Sequence, residues 1–258
     1  MRHVHLFEFG DLPWFPQMFH DAETAFLSVL YRMFPSLPRQ WAEKISTVLR
    51  IGEPTHMLDL CSGTGGAMSS IIEHLTLRGN DVHVTLSDLY PNPKFALTHP
   101  RAQWLADPVD ATHVPPKLGS VRTMFSAFHH FRPEAAKAIL KDAFHDRCAI
   151  CIFESGPGTK LAVAMTIFVP QHVLAMMPFA RPFRWEYALY TYLIPVIPLA
   201  LLWDSFVSNL RIYSPEQMKE MTEDMQSADY KWEFGRIRLF GMGGAPYLIG
   251  RPISPSIT

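Results

Sequence analysis

Lysine is missing from the whole stretch between Lys44 and Lys94. That stretch contains a glycine turn, and a phosphate-binding loop there would need Gly-Lys-Ser/Thr at its end so that the lysine reaches the phosphates. The turn also lacks the last glycine of a dinucleotide fingerprint: counting Gly-x-Gly-x-x-Gly from Gly63 finds Gly63 and Gly65, then Met68. Both readings fail. An excess of positive charge is lacking too, with 23 lysines and arginines against 24 acids and a formal net charge of -1. No basic field is available to neutralise a phosphate backbone, so nucleic acid is not expected as a partner. Cysteines number only 3, and Arg2, His3, His5 and Glu8 interrupt any apolar run at the start, which together point to a reducing cytoplasm. Cys148 and Cys151 fall in "CAICIF", which reads as a strand. An odd separation there turns the two side chains to opposite faces, so ordinary core cysteines are expected. The histidines show neither H-x-x-x-H nor H-E-x-x-H spacing on a helix, and no metal is expected.

What is present is an alternation. From Met57 the pattern reads as a strand to Leu60, a helix from Ala67 to Arg78, a strand from Val82 to Ser87, a helix around Asn92 to Thr98 and a strand from Ala102 to Ala106. A strand from Val121 to Phe125, a helix from Pro133 to Phe144 and a strand from Ala149 to Phe153 follow. Such alternation implies a mostly parallel sheet covered by helices on both faces, an α/β class. Two helical patterns, "DAETAFLSVLYRMF" and "PRQWAEKISTVLR", precede it. Residues 1–52 are thus a helical cap, 53–154 the strand-helix core, 155–213 an apolar insert and 214–258 a capped helix with two closing strands. Together they make one domain, which 258 residues can fill. Ser214 is the expected N-cap of the closing helix, with Pro215 at its first position and Glu216 in its first turn.

The stretch "DLCSGTGG", Asp59 to Gly66, resembles the first motif of class I S-adenosylmethionine-dependent methyltransferases, Asp/Glu-x-Gly-x-Gly-x-Gly, with Cys61 in place of the first glycine. Small residues let backbone approach a ligand closely, and a tight strand-helix turn with no ligand remains the alternative. The resemblance implies a Rossmann-like seven-stranded sheet whose late hairpin gives one antiparallel strand. It also implies S-adenosylmethionine as cofactor, held in part by Asp59, Cys61, Gly63, Thr64 and Gly65. Asp88, at the end of the second strand, is placed to accept hydrogen bonds from both ribose hydroxyls, with Leu89 or Tyr90 covering one face of the adenine. "VDATHVP" resembles the third motif, giving Asp110 the adenine amino group and the Ala111 amide a ring nitrogen; Asp107 is the rival carboxylate. "FSAFHHF" stands where the fourth motif leaves the sheet beneath the sulfonium. Ser126 is counted there with the cofactor contacts, and His129 or His130 is either a general base or a support of the fold.

Charge is nearly absent from Leu161 to Trp203, where only Arg181, Arg184 and Glu186 occur. Prolines break the two apolar runs in this insert, so a lid over an apolar or aromatic acceptor, a peripheral membrane contact and a homodimer surface are all open. Trp185, Tyr190 and Trp203 are the expected acceptor contacts. Asp204 either offers a polar group to that pocket or pairs and caps locally. The function implied is methyl transfer to an O, N or S nucleophile of a small, largely apolar or aromatic molecule. The alternatives are a membrane-associated enzyme acting on a lipid or quinone-like acceptor and a non-catalytic cofactor-binding protein.

Overall fold

A computed structural model describes residues 4–91, 99–116, 118–239 and 243–253. The expected helix at Asn92 to Thr98 lies outside the described residues. Seven strands form one sheet: β1 (Thr55–Asp59), β2 (Val82–Leu86), β3 (Ala102–Trp104), β4 (Val121–Phe125), β5 (Ala149–Phe153), β6 (Tyr230–Leu239) and β7 (Gly243–Pro252). Their order is β3-β2-β1-β4-β5-β7-β6. β7 runs antiparallel to both neighbours, β5 and β6, while the first five strands pair in parallel. The central strands read as apolar runs because helices cover both faces, and all five residues of β5 are buried.

Side chains alternate between two cores. On one face α2 (Ser36–Ser46) and α3 (Met68–Leu77) bring Trp41, Ile45, Ile71 and Leu75 onto Met57, Val84, Cys151 and Phe153. On the other, α4 (Pro133–His145) and α9 (Pro215–Met221) bring Ile139, Leu140 and Met218 onto Leu58, Met124, Ile150 and Ile152. Cys148 packs against this second core and Cys151 lies in the first, as their spacing requires. Arg122 is buried on β4, and Asp142 of α4 and Asp146, the residue capping that helix's end, both pair with it. The N-cap expected at Ser214 is present, and Gln217 completes a capping box with it.

A third core joins the cap to the insert. α1 (Gln17–Met33) contributes Ala22, Phe26 and Val29, which meet Val173 and Met176 of α6 (Val169–Met176) and Leu201 of α8 (Val196–Arg211). α5 (Lys160–Met165) and α6 form one helical run with 3-10 turns, ending at Phe179. After α7 (Trp185–Ala188) a π-turn leads to α8, bent by 79° at the break that holds Pro195. Pro170 lies in the first turn of α6, where the missing N–H leaves no bond unmade.

Candidate active site

All the polar groups singled out on the sheet leave it at the carboxyl ends of the parallel strands, where an open α/β sheet receives its ligand. After β1 the chain turns through Cys61 (φ 55°), Gly63 (φ 55°) and Gly65 (φ 93°). All three positions of the glycine motif are therefore left-handed, a conformation that glycine adopts without strain and Cys61 does not. Asp59, buried at the strand end, accepts from Thr123 Oγ1 at 2.8 Å, and its carbonyl accepts from Ser62 Oγ and Ser87 Oγ. Burial raises its carboxyl to about 7, against the hydrogen bonds from Ser62 and Thr123.

Asp88 accepts from the amide of Gly63 at 3.1 Å and from that of Tyr90 at 3.0 Å, so it fastens the glycine turn to the end of β2. Each carboxylate oxygen keeps a further acceptor site. Asp110 is exposed, and its Oδ1 accepts from the Thr112 amide and hydroxyl at 2.8 and 2.7 Å. Burial, then the charges of Asp88, Asp59 and Asp110, push the Cys61 thiol far up. Thr64 lies within the turn, Ala111 is buried beside Asp110, Leu89 and Tyr90 are exposed, and Asp107 is exposed before Pro108.

The exit of β4 is equally built. Ser126 is left-handed (φ 52°), and its hydroxyl meets Tyr31 Oη of α1 at 3.0 Å. Gly63 also faces α1, since a Cβ there would lie 3.4 Å from Thr24. The cap helix therefore roofs both turns. His129 is buried; Glu154, one residue past β5, accepts from its amide at 3.0 Å and bonds its Nδ1 at 2.8 Å. Its Nε2 has no partner and lies 3.9 Å from Glu8 Oε1. His130 differs. Its Nδ1 bonds Asp11 Oδ1 at 2.7 Å, and although burial opposes its charge, Glu8 and Asp11 raise it to about 9.

Glu8 and Asp11 belong to an N-terminal strap. Asp204 of α8 holds it, accepting from the amides of Phe9 and Gly10 at 2.8 and 3.0 Å, while burial raises this carboxyl to about 6. Both Asp204 oxygens are thus engaged by the strap, which gives this residue a fastening role. Trp203 joins in: its Nε1 donates to Phe7 O at 3.0 Å. Arg211, fully buried, donates to Glu8 Oε1 at 3.0 Å and Asp11 Oδ2 at 2.6 Å. A nitrogen from each of His129 and His130 and an oxygen of Glu8 lie within 4.8 Å of one another. Glu8 comes from a segment far from the two adjacent histidines, so sequence spacing alone does not reveal the group. The guanidinium already supplies the positive charge in this group.

Of the expected acceptor contacts, Tyr190 packs against Phe19 with ring centroids 5.3 Å apart. Trp185 is 67% exposed at the start of α7. A groove lined by Glu216, Lys219, Tyr230 and Trp232 lies where β6 begins beside the end of β7. Sequence reading missed Glu154, Glu8, Asp11 and Tyr31. Glu154 carried the same signal as Asp88, an acid just past a parallel strand; the other three had none of their own.

No family model matches the chain, and no curated protein sequence does. Solved structures do. The plantazolicin methyltransferase BpumL in complex with SAH superposes with a TM-score of 0.50 at 12% identity, over 90% of this chain and 85% of that one. A putative S-adenosyl-L-methionine-dependent methyltransferase from Methanococcus maripaludis gives 0.48 at 13% identity, covering 99% of each chain. The CMeT domain of the citrinin polyketide synthase gives 0.49 at 12% identity over 83% of this chain, which spans 50% of that one. With the strand order, the single reversed β7 and the left-handed turn after β1, the likeness to BpumL shows that the chain has the fold of class I S-adenosylmethionine-dependent methyltransferases.

Proposed function

We propose that the protein is an S-adenosylmethionine-dependent methyltransferase with a small, largely apolar or aromatic acceptor. The carrying observation is that Asp88, bonded to the Gly63 amide, and Asp59, at the end of β1, hold the left-handed turn at the same sheet edge as the His129–Glu154 pair. This donor set fits the cofactor's polar groups, because an ammonium, two ribose hydroxyls and an adenine amino group all donate hydrogen bonds, and the turn offers carboxylate acceptors. Asp88 would hold the ribose and Asp110 the adenine, with the Gly63–Gly65 backbone against the methionine part. When bound, the cofactor supplies a methyl group as an electrophile on sulfur.

The chain's own residues do the rest. Glu154 accepts from Nδ1–H of His129, which fixes the tautomer and leaves the Nε2 lone pair free. That nitrogen, buried 3.9 Å from Glu8 Oε1, takes the proton from the acceptor's O–H, N–H or S–H once the acceptor displaces the strap from it. His130 is held cationic by Glu8 and Asp11 and is unsuited to the same task. An aromatic ladder, Phe9, Phe15, Phe19 and Tyr190, with successive centroids 5.6, 5.4 and 5.3 Å apart, leads from Glu8 to the insert and supports a flat apolar acceptor. Most of the rate then comes from positioning, with the strap and cap excluding water.

Calorimetry with S-adenosylmethionine, together with S-adenosylhomocysteine formation over a mixed panel of phenols, amines and thiols, tests this. His129→Asn should lower turnover by about 100-fold or more while leaving cofactor affinity within about twofold. A folded wild type with no cofactor affinity overturns the reading; binding without turnover across the panel favours a non-catalytic cofactor-binding protein.

A further inference from the structure

The helical run Lys160–Phe179 is long and apolar enough to cross a membrane, and part of it is buried within the protein. Its buried stripe, including Val173 and Met176, is committed to α1 and α8. Its other stripe is exposed: Leu161, Met165, Phe168, His172, Ala175 and Phe179 recur at steps of three and four residues and all face outward. Tyr192 ties the next segment to it, donating from Oη to Leu174 O at 2.6 Å, and Leu193 beside it is 75% exposed.

The polar groups on this face are turned away from water. His172 Nδ1 bonds Phe168 O at 2.6 Å. With its amide oriented to donate, Gln171 reaches Phe168 O at 3.0 Å and Ile167 O at 3.2 Å. Tyr192 does the same through Leu174. Three exposed polar side chains bonded to their own backbone are what a face meeting a low-dielectric medium requires, since no water there satisfies them.

Charge then selects the medium. Exposed Lys160 stands at one end of the run, and exposed Arg181 and Arg32 at the other, with Arg32 Nη2 donating to Phe179 O at 2.7 Å. The sole acid between Leu161 and Trp203, Glu186, is paired with Arg184 at 3.4 Å. A symmetric contact with a second copy would set these cations against one another with no free carboxylate in the stretch to meet them. We propose that this face docks in the plane of an anionic lipid surface, apolar stripe in the acyl boundary and cations at the headgroups. A flat docking geometry follows from the stripe already buried against α1 and α8, which leaves only one side of the helix for lipid. This inference does not depend on methyl transfer.

Flotation of the full chain with vesicles of phosphatidylcholine alone, and of phosphatidylcholine with phosphatidylglycerol, tests it. Wild type should float with the mixed vesicles more than with the neutral ones. Phe168→Glu with Leu193→Glu, both at exposed positions, should lower the bound fraction at least about tenfold with circular dichroism unchanged. Wild type left in the aqueous phase with both vesicles, or a double variant that floats equally well, overturns the proposal. So does a wild-type dimer in sedimentation that does not float and that the double variant returns to monomer. Cofactor affinity measured on the same samples separates a failure here from a failure of the methyltransferase reading.

Discussion

Asp59→Asn removes a titrating carboxyl that burial keeps protonated, and the pH dependence of that change can be worked out. Burial moves the Asp59 carboxyl from its ordinary value of 3.8 to about 7. Between those two values the folded state holds a proton that the unfolded state has lost, so the stability contributed by this group falls as pH rises. Integrated from pH 5 to pH 8, the loss is roughly 2.5 kcal/mol at 1.36 kcal/mol per decade of proton affinity. Asparagine cannot ionise, and its Oδ1 keeps the bond from Thr123 Oγ1. Urea unfolding of wild type and variant at both pH values, without cofactor, isolates the effect because every other titrating group is common to the two proteins. The variant should gain on wild type by about 2 kcal/mol between pH 5 and pH 8. A difference that does not change with pH would refute a desolvated carboxyl at this position.

Asp88→Ala should weaken S-adenosylmethionine at least about tenfold by calorimetry, since hydrogen bonds to a charged acceptor contribute about 1.5–3 kcal/mol each; unchanged affinity in a folded variant removes Asp88 from the ribose site. Asp110→Asn keeps the Thr112 turn at Oδ1 and replaces the other oxygen by a donor, so preference should shift toward the inosine analogue of the cofactor. Equal binding of both analogues by wild type would show that Asp110 does not read the adenine. Gly250→Ala should destabilise by about 1–3 kcal/mol in denaturant unfolding, because a Cβ there would stand 2.4 Å from Trp232 and 2.8 Å from the Tyr230 hydroxyl.

The sheet was legible where one local signal decided the matter. β4 and β5 occupy the expected residues, because an apolar run bounded by turn residues admits few placements. Edges drifted where signals competed. β3 ends at Trp104 rather than Ala106, although Leu105 still donates to Leu86 O. α1 starts at Gln17, four residues before Asp21, since its first turn, with Met18 and Phe19 packed on the third core, carries no acidic cap signal.

The candidate site divides along the same line. Asp59, Asp88, Asp110 and His129 stand at strand ends, where chain order alone predicts the ligand side of the sheet. Their counterparts on the cap are fixed by pairings across most of the chain: Arg211 reaches Glu8 over 203 residues, and His130 reaches Asp11 over 119. Half of each pair was nonetheless visible. An arginine closing a stretch with almost no charge must either reach water or find an acid, and Arg211 is fully buried. Two carboxylates meet it, and one of them, Glu8, also holds Ser208 Oγ at 3.0 Å. The strap is therefore bound by buried charge as well as by the Asp204 clasp. Releasing it would strip buried Arg211 of both carboxylates, which is the physical cost an acceptor must offset to lift the strap from His129.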